Sequence, residues 1–190
     1  MQSISTSTTS TDPLNNLPSP TNWKVNMPRV YVLQEVSFNG AWIDAINASE
    51  MQKNMDYIQH HYPFQRPVKV SLFQNFEGTD LAPEMPISFI AQIGEGIRKY
   101  GKAFLLYYAD YPREPEILSN FREDYRGSFD RIEDFVKEIL SKEAFDAQLQ
   151  RNNLDWKHIN FDEIIRDWFC PKKGIYRRIL DEKIYIFKRR

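Results

Sequence analysis

The sequence predicts an α+β protein: a small ββαβ unit, a helical middle, and a mixed C-terminal segment that closes on a β-hairpin. Three observations predict it. Apolar residues alternate at period two near both ends of the chain and recur at helical spacing between them. Turn signals, Asn39-Gly40 early and Asp181-Glu182 late, join strand-like runs directly, as antiparallel pairing requires. Hydrophobic residues make up 42% of the 190 positions, with 13 Phe, 10 Tyr and 4 Trp, enough apolar material to build a core.

Residues 1–26 are rich in Ser, Thr, Asn and Pro and carry only Asp12 and Lys24. Such a composition cannot bury enough apolar surface to offset chain entropy, so a disordered tail is expected. It has neither the basic start nor the apolar stretch of a secretory signal. Trp23 and Val25 are candidates to pack back on the body.

The first domain is expected over 27–76. In 30–38, Val30, Val32, Val36 and Phe38 share one face and Tyr31, Leu33 and Glu35 the other, the pattern of a strand. Asn39-Gly40 turns it back through Ala41–Asp44. Met51, Met55, Ile58 and Tyr62 line one side of a helix capped by Asn47 or Ser49 and ended by Pro63. Val68, Val70, Leu72 and Phe76 alternate in a third strand.

A helical middle is expected over 77–110. After a Pro-containing loop, Ile90, Ile93, Ile97 and Tyr100 mark a helix weakened by Gly94 and Gly96 and stopped by Gly101. Phe104–Tyr108 suit either a buried helix or a strand; the short Gly turn favours a helical hairpin.

The third domain is expected over 111–190. Ile117, Leu118 and Phe121 point inward from a helix over 114–123. Asp130 and Glu133 have capping-box spacing ahead of Ile132, Phe135, Val136, Ile139 and Leu140, the clearest helical pattern in the chain. A further helix covers about 143–152, and Asn160 with Glu163 opens another that runs to Phe169. Ile175–Leu180 and Lys183–Phe187 form the closing hairpin.

The net charge of −1 hides a separation. Residues 1–28 and 29–76 are each balanced, 77–110 carry −2, 111–168 carry −5, and the last 22 residues carry +6.

Candidate chemistry is sparse. One cysteine, Cys170, permits no intramolecular disulfide and no thiolate zinc site, and nothing around it resembles a catalytic signature. The adjacent His60 and His61 diverge by about 100° on a helix, which suits surface histidines better than a shared metal. Gly94-Glu95-Gly96 lacks the third glycine of a dinucleotide loop. Paired carboxylates, as in Glu133-Asp134, fall on expected solvent faces, where Glu133–Lys137 and Glu138–Lys142 are ordinary helix-surface pairs. No catalytic residue, metal site or cofactor is therefore expected, and no apolar run reaches the ~20 residues that span a bilayer. The basic end, with Lys172, Lys173, Arg177, Arg178, Lys183, Lys188, Arg189 and Arg190 among Tyr176, Tyr185 and Phe187, has two readings. It is an edge hairpin guarded against aggregation, or a nucleic-acid patch working by phosphate contact and stacking.

Ordered blocks of sequence point further. Pro28–Val32, Asn39–Ala45, Phe76-Glu77-Gly78, Asp124–Phe129 with Glu133-Asp134-Phe135, Phe161–Asp167 and Ile184–Phe187 resemble the ArdA antirestriction family over about 28–187. The resemblance implies an elongated protein of three small domains that pairs into a homodimer. It implies a cytoplasmic bacterial protein from a mobile element. Its implied partner is a type I restriction–modification enzyme, whose DNA groove it fills as a non-catalytic DNA mimic. Carboxylates standing in for phosphates would capture the basic groove and gain the same counterion release as DNA. By that resemblance Tyr125, Arg126, Gly127, Ser128, Phe129 and Phe135 match the antirestriction-motif region near the dimer contact. The candidate phosphate mimics, chosen by expected exposure, are Glu77, Asp80, Glu84, Glu95, Asp110, Glu114, Glu116, Glu123, Asp124, Asp130, Glu133, Asp134 and Glu138. The basic C-terminal hairpin departs from the acidic character of the family and motivates the alternative, a nucleic-acid-binding regulator on the same fold.

Overall fold

Alternating apolar residues build the first of two antiparallel sheets. The computed structural model describes residues 27–34, 40–61 and 67–190. The expected tail, Val36, Phe38, Asn39, Tyr62 and Pro63 lie outside the described residues. Strands β1 (Arg29–Gln34), β2 (Gly40–Asp44) and β3 (Val68–Gln74) pair in the order β2-β1-β3. Val30 and Val32 point into a fully buried core, while Tyr31 and Leu33 face the other way. Helix α1 (Ala48–His61) lies against β2 and β3 and buries Met51, Met55 and Ile58. Asn47 is its cap: the side-chain oxygen accepts from the Glu50 amide at 3.1 Å.

The third strand departs from simple alternation. The register between β1 and β3 shifts between Tyr31 and Val32, so Val70 pairs with Val32 while Leu72 pairs with Tyr31. The bulge throws Leu72 onto the outer face, where it is 54% exposed beside Trp42 and Tyr31. Helix α2 (Ile87–Tyr100) buries Ile90, Ala91 and Ile93. Its Gly94 is the point of closest approach: a Cβ there would meet the Ala45 carbonyl oxygen at 1.8 Å.

The chain divides into two compact units between Lys99 and Tyr100. The segment 77–110 is therefore shared between them instead of forming a middle domain: nearly all of α2 belongs to the first unit, and α3 (Lys102–Asp110) belongs to the second. Gly101, at φ +53°, breaks the helical run at this point.

The second unit holds a three-stranded sheet, β4 (Tyr125–Phe129), β5 (Ile175–Leu180) and β6 (Lys183–Lys188), in the order β4-β6-β5. Asp181 and Glu182 both take positive φ, +50° and +62°, and so make the tight turn between β5 and β6. Helices cover both faces of the sheet. On one, Phe187 and Tyr125 meet Tyr107 of α3 and Phe121 of α4 (Ile117–Asp124). On the other, Phe129, Ile184 and Ile186 pack with Phe135 and Val136 of α5 (Ile132–Lys142) and with Ile164, Ile165 and Trp168 of α7 (Phe161–Trp168). The short helix α6 (Phe145–Arg151) packs on α5. Asn160 caps α7 as expected, accepting from the Glu163 amide at 3.3 Å. The capping box expected at Asp130 does not form. Arg131, extended at φ −133° and ψ 145°, is the residue before α5 and makes no side-chain cap.

Candidate functional site

The thirteen acids chosen from the sequence do not form one class. Glu77, Asp80 and Glu84 lie in the exposed loop before α2, and Glu95 lies half-buried within that helix. The other nine belong to the second unit. Glu77, Glu84, Glu114, Glu116 and Asp134 make no ion pair with another described residue. Several others are paired. Glu138 accepts from Lys142 at 2.5 Å, Glu123 meets Arg190 at 3.2 Å, and Asp130 is 3.8 Å from Lys183. The Glu133 carboxylate is held below its usual range, first by its own backbone amide and then by Arg131 at 3.5 Å.

Asp124 must be withdrawn from the acidic surface. Its side chain is only 3% exposed, because it continues the buried stripe of α4 one turn beyond Ile117 and Phe121. The Tyr107 hydroxyl donates to it at 2.6 Å and Arg190 Nε at 2.5 Å. It is an interior anchor and cannot present a charge to a partner. Arg190 leaves the basic patch for the same reason, since its guanidinium is committed to Asp124 and Glu123.

The motif residues make β4, an edge strand, and the packing beneath it. Tyr125 stacks on Phe121 at 5.0 Å, and Phe129 meets Phe135 edge-on at 5.4 Å. Gly127 sits at φ +131°, a conformation that favours glycine, beside the bulge between Tyr125 and Gly127. Phe135 is 2% exposed and so serves the core, not a dimer surface. Arg126 and Ser128 are the exposed members. Arg126 donates to the Glu123 carbonyl at 2.8 Å and borders a largely apolar pocket of about 270 Å³ against Ile139 and Trp168.

The basic residues are likewise divided. Alternation puts Arg177 on the face of the sheet that carries Ile186, with its guanidinium over Phe169, and Arg178 on the face that carries Tyr185. Lys173 is 3.4 Å from Asp167. Lys172, Lys183 and Lys188 are exposed. The hairpin is therefore not one continuous basic strip. It does bring Arg178 and Arg189 to one cleft of about 340 Å³ lined also by Asp110, Tyr111 and Tyr176, while Arg177 borders it from the strand with its guanidinium over Phe169 on the other face. Tyr111 and Tyr176 were not singled out as site residues, although Tyr176 stands within the basic run.

Buried phenols mark this unit. Burial, followed by the Asp124 carboxylate, pushes Tyr107 up; burial, followed by Asp110, pushes Tyr176 up; burial pushes Tyr125 up. The folded chain thus keeps phenol protons that the unfolded chain releases above pH about 10. Their stabilising effect is complete below that pH and is lost as the pH rises through the folded values. Tyr176→Phe removes one such group, so its stability relative to the parent should rise steadily above pH about 10. Urea midpoints of both proteins across that range check this. A constant difference would contradict it.

Among the described residues no group of three or more His, Cys, Asp and Glu could hold a metal ion, and no helix is long and apolar enough to cross a membrane. Cys170 is half-buried. His60 and His61 are exposed at the end of α1, each with a ring nitrogen near a carbonyl of its own helix. No family model, curated protein or solved structure matches the chain.

Proposed function

We propose that the protein is a non-enzymatic inhibitor that occupies the basic DNA groove of a type I restriction–modification enzyme. The observation that carries this reading is the survival of twelve of the thirteen candidate acids outside the core, five of them without an ion pair to another described residue. The ordered motif blocks over about 28–187 supply the class of target. Unpaired surface carboxylates are what a phosphate-binding groove would select, because each can neutralise a lysine or arginine and release counterions from both partners. The reading takes the protein as a homodimer acting in the bacterial cytoplasm. The motif's exposed residues, Arg126 and Ser128, are its candidates for the dimer surface.

A DNA-cleavage assay with purified type I enzymes tests it. Inhibition is expected to saturate as the protein approaches equimolar ratio with the enzyme. Replacing Glu77, Glu84, Glu114, Glu116 and Asp134 together by their amides should weaken inhibition at least about a hundredfold, if each forfeits a modest share of the electrostatic attraction. Undiminished cleavage at large molar excess over several such enzymes would refute the reading.

The cleft between Arg178 and Arg189 favours a second reading, contact with nucleic acid or its components through the C-terminal hairpin. In this reading the cations act at one site instead of along a strip.

A further inference from the structure

We infer that the apolar pocket between α5, α7 and the start of β5 binds a small carboxylic acid with an apolar body, a ring or short chain that carries one carboxylate. The site depends on neither reading above, and none of the thirteen candidate acids lines it.

Sequence and register put the pocket at one end of the sheet. Phe135 and Ile139 are one helical turn apart on α5, so both face the strands. Trp168 closes the last turn of α7 beside them, its ring steeply inclined to that of Phe135 with centres 6.0 Å apart. Ile175 opens β5 and packs on the side of the sheet that carries Ile186. The space these four side chains border is about 270 Å³. Its lining is graded in depth. Phe135 is 2% exposed, Ile139, Trp168 and Ile175 are half-buried, and Arg126 and Lys173 are exposed. The floor is therefore a buried ring, and the charged residues stand at the rim.

The walls select the body of the ligand. Two rings and two branched aliphatic side chains offer dispersion contacts and favour an apolar group over water. At about 30 Å³ for each water-sized group, the space takes about nine heavy atoms, a benzene ring with a short chain.

The rim selects its charge. Both ionisable residues of the lining are cations. Arg126 Nη1 donates to the Glu123 carbonyl at 2.8 Å, which leaves the remaining guanidinium donors without a partner among the described residues. Lys173 is 3.4 Å from Asp167, but more than half of each side chain is exposed, so theirs is a weak surface pair that a bound carboxylate can share. Lys188 adds a third cation. It is the register partner of Ile175 and lies two residues past Ile186, so alternation keeps it on the same side of the sheet as the pocket. It is exposed and has no ion pair among the described residues. A cationic rim above an apolar floor fits one negative charge at the end of an apolar body. Inorganic phosphate forfeits the walls, and a neutral molecule of the same shape forfeits the rim.

Two-dimensional NMR of the isotope-labelled full chain tests the site, with 3-phenylpropionate, 3-phenylpropanol and inorganic phosphate as probes. Saturable shifts are expected with 3-phenylpropionate, centred on Phe135, Trp168 and Ile175. The alcohol should bind about fivefold more weakly at low salt, the worth of one exposed charge contact, and the gap should close as salt rises. Ile139→Trp, which fills the pocket from its wall, should weaken binding of the acid at least about tenfold. Lys188→Gln should weaken it about threefold. Lys53→Gln, an exposed cation on α1 of the first unit, should leave it unchanged. Lys188→Gln removes no core contact and keeps the test valid if Ile139→Trp misfolds. No saturable binding of 3-phenylpropionate, equal affinity for acid and alcohol at low salt, or equal effects of Lys188→Gln and Lys53→Gln would overturn the proposal. Phosphate binding as tight as that of the acid would overturn it in favour of a plain anion site. A homodimer that buries Arg126 would close the mouth, and its failure to bind the acid would overturn the proposal in the same way.

Discussion

Asp124→Ala is expected to destabilise the second unit by about 3 kcal/mol, measured as a shift of its urea unfolding transition. The reason is the asymmetry of buried ion pairs. Forming such a pair roughly balances desolvation against attraction, but removing one partner leaves the other uncompensated. Here the loss falls on two groups. The Tyr107 hydroxyl, fully buried, forfeits its 2.6 Å acceptor, and Arg190 forfeits its 2.5 Å contact. Arg190 is one-third exposed and can recover some hydration, which places the cost at the lower end of the range for broken buried pairs. Asp124→Asn keeps an acceptor for Tyr107 and should cost about half as much. A loss below about 1 kcal/mol for Asp124→Ala would mean that the pair behaves as a surface salt bridge, and Asp124 would return to the set of presentable acids.

Gly94→Ala is expected to cost the first unit about 3 kcal/mol, against the ordinary preference of a helix for alanine. Two effects of opposite sign meet at this residue. Intrinsic propensity favours alanine over glycine by about 1 kcal/mol in a helix interior. Sterics oppose it, because the new Cβ would stand 1.8 Å from the Ala45 carbonyl oxygen and 2.8 Å from its carbon. Those are backbone atoms and have no rotamer to change. The Ala45 amide is tied to the Pro28 carbonyl at 2.9 Å, so helix and strand end must separate instead. Thermal unfolding decides between the two. A lowered midpoint follows from the close approach; a raised one would show that propensity governs and that α2 does not pack there.

Gly94 also shows what was legible in the sequence. Its neighbours Ile90 and Ile93 identify α2 by period, and by propensity the glycine is a weakness in the helix. That reading is sound for an isolated helix and incomplete for a packed one, because close contact is a property of the partner surface. Helix α5 was the clearest pattern and folds as expected, with Phe135 and Val136 inward, because its apolar stripe is uninterrupted. The closing hairpin was legible for the same reason, with Asp181 and Glu182 at its turn.

Features that depend on distant partners were not legible. The bulge opposite Val32 turns Leu72 outward, and nothing in the alternation of Val68, Val70 and Leu72 announces it. The strand Tyr125–Phe129, short and broken by Gly127, is fixed by pairing with β6 some sixty residues later. Asp124 falls among the expected exposed acids because carboxylates usually are exposed, yet it lies seven positions after Ile117 and three after Phe121 on the inward stripe of α4. The partners that make its burial tolerable, Tyr107 and Arg190, are 17 and 66 residues away. Charge counting found the separation between an acidic middle and a basic end. It could not show that some of that charge is spent internally, on Asp124–Arg190 and Asp110–Arg178.

The central claim is that exposed carboxylates of this chain take the place of DNA in a basic groove. Displacement of labelled DNA from a purified type I restriction–modification enzyme measures it directly. The account predicts displacement by the parent protein near equimolar ratio at low salt. Displacement should weaken as salt rises, persist in Arg189→Gln, and be lost when Glu77, Glu84, Glu114, Glu116 and Asp134 are replaced by amides. DNA that stays bound at large molar excess of the protein, or that is displaced equally by the amide variant, would contradict it.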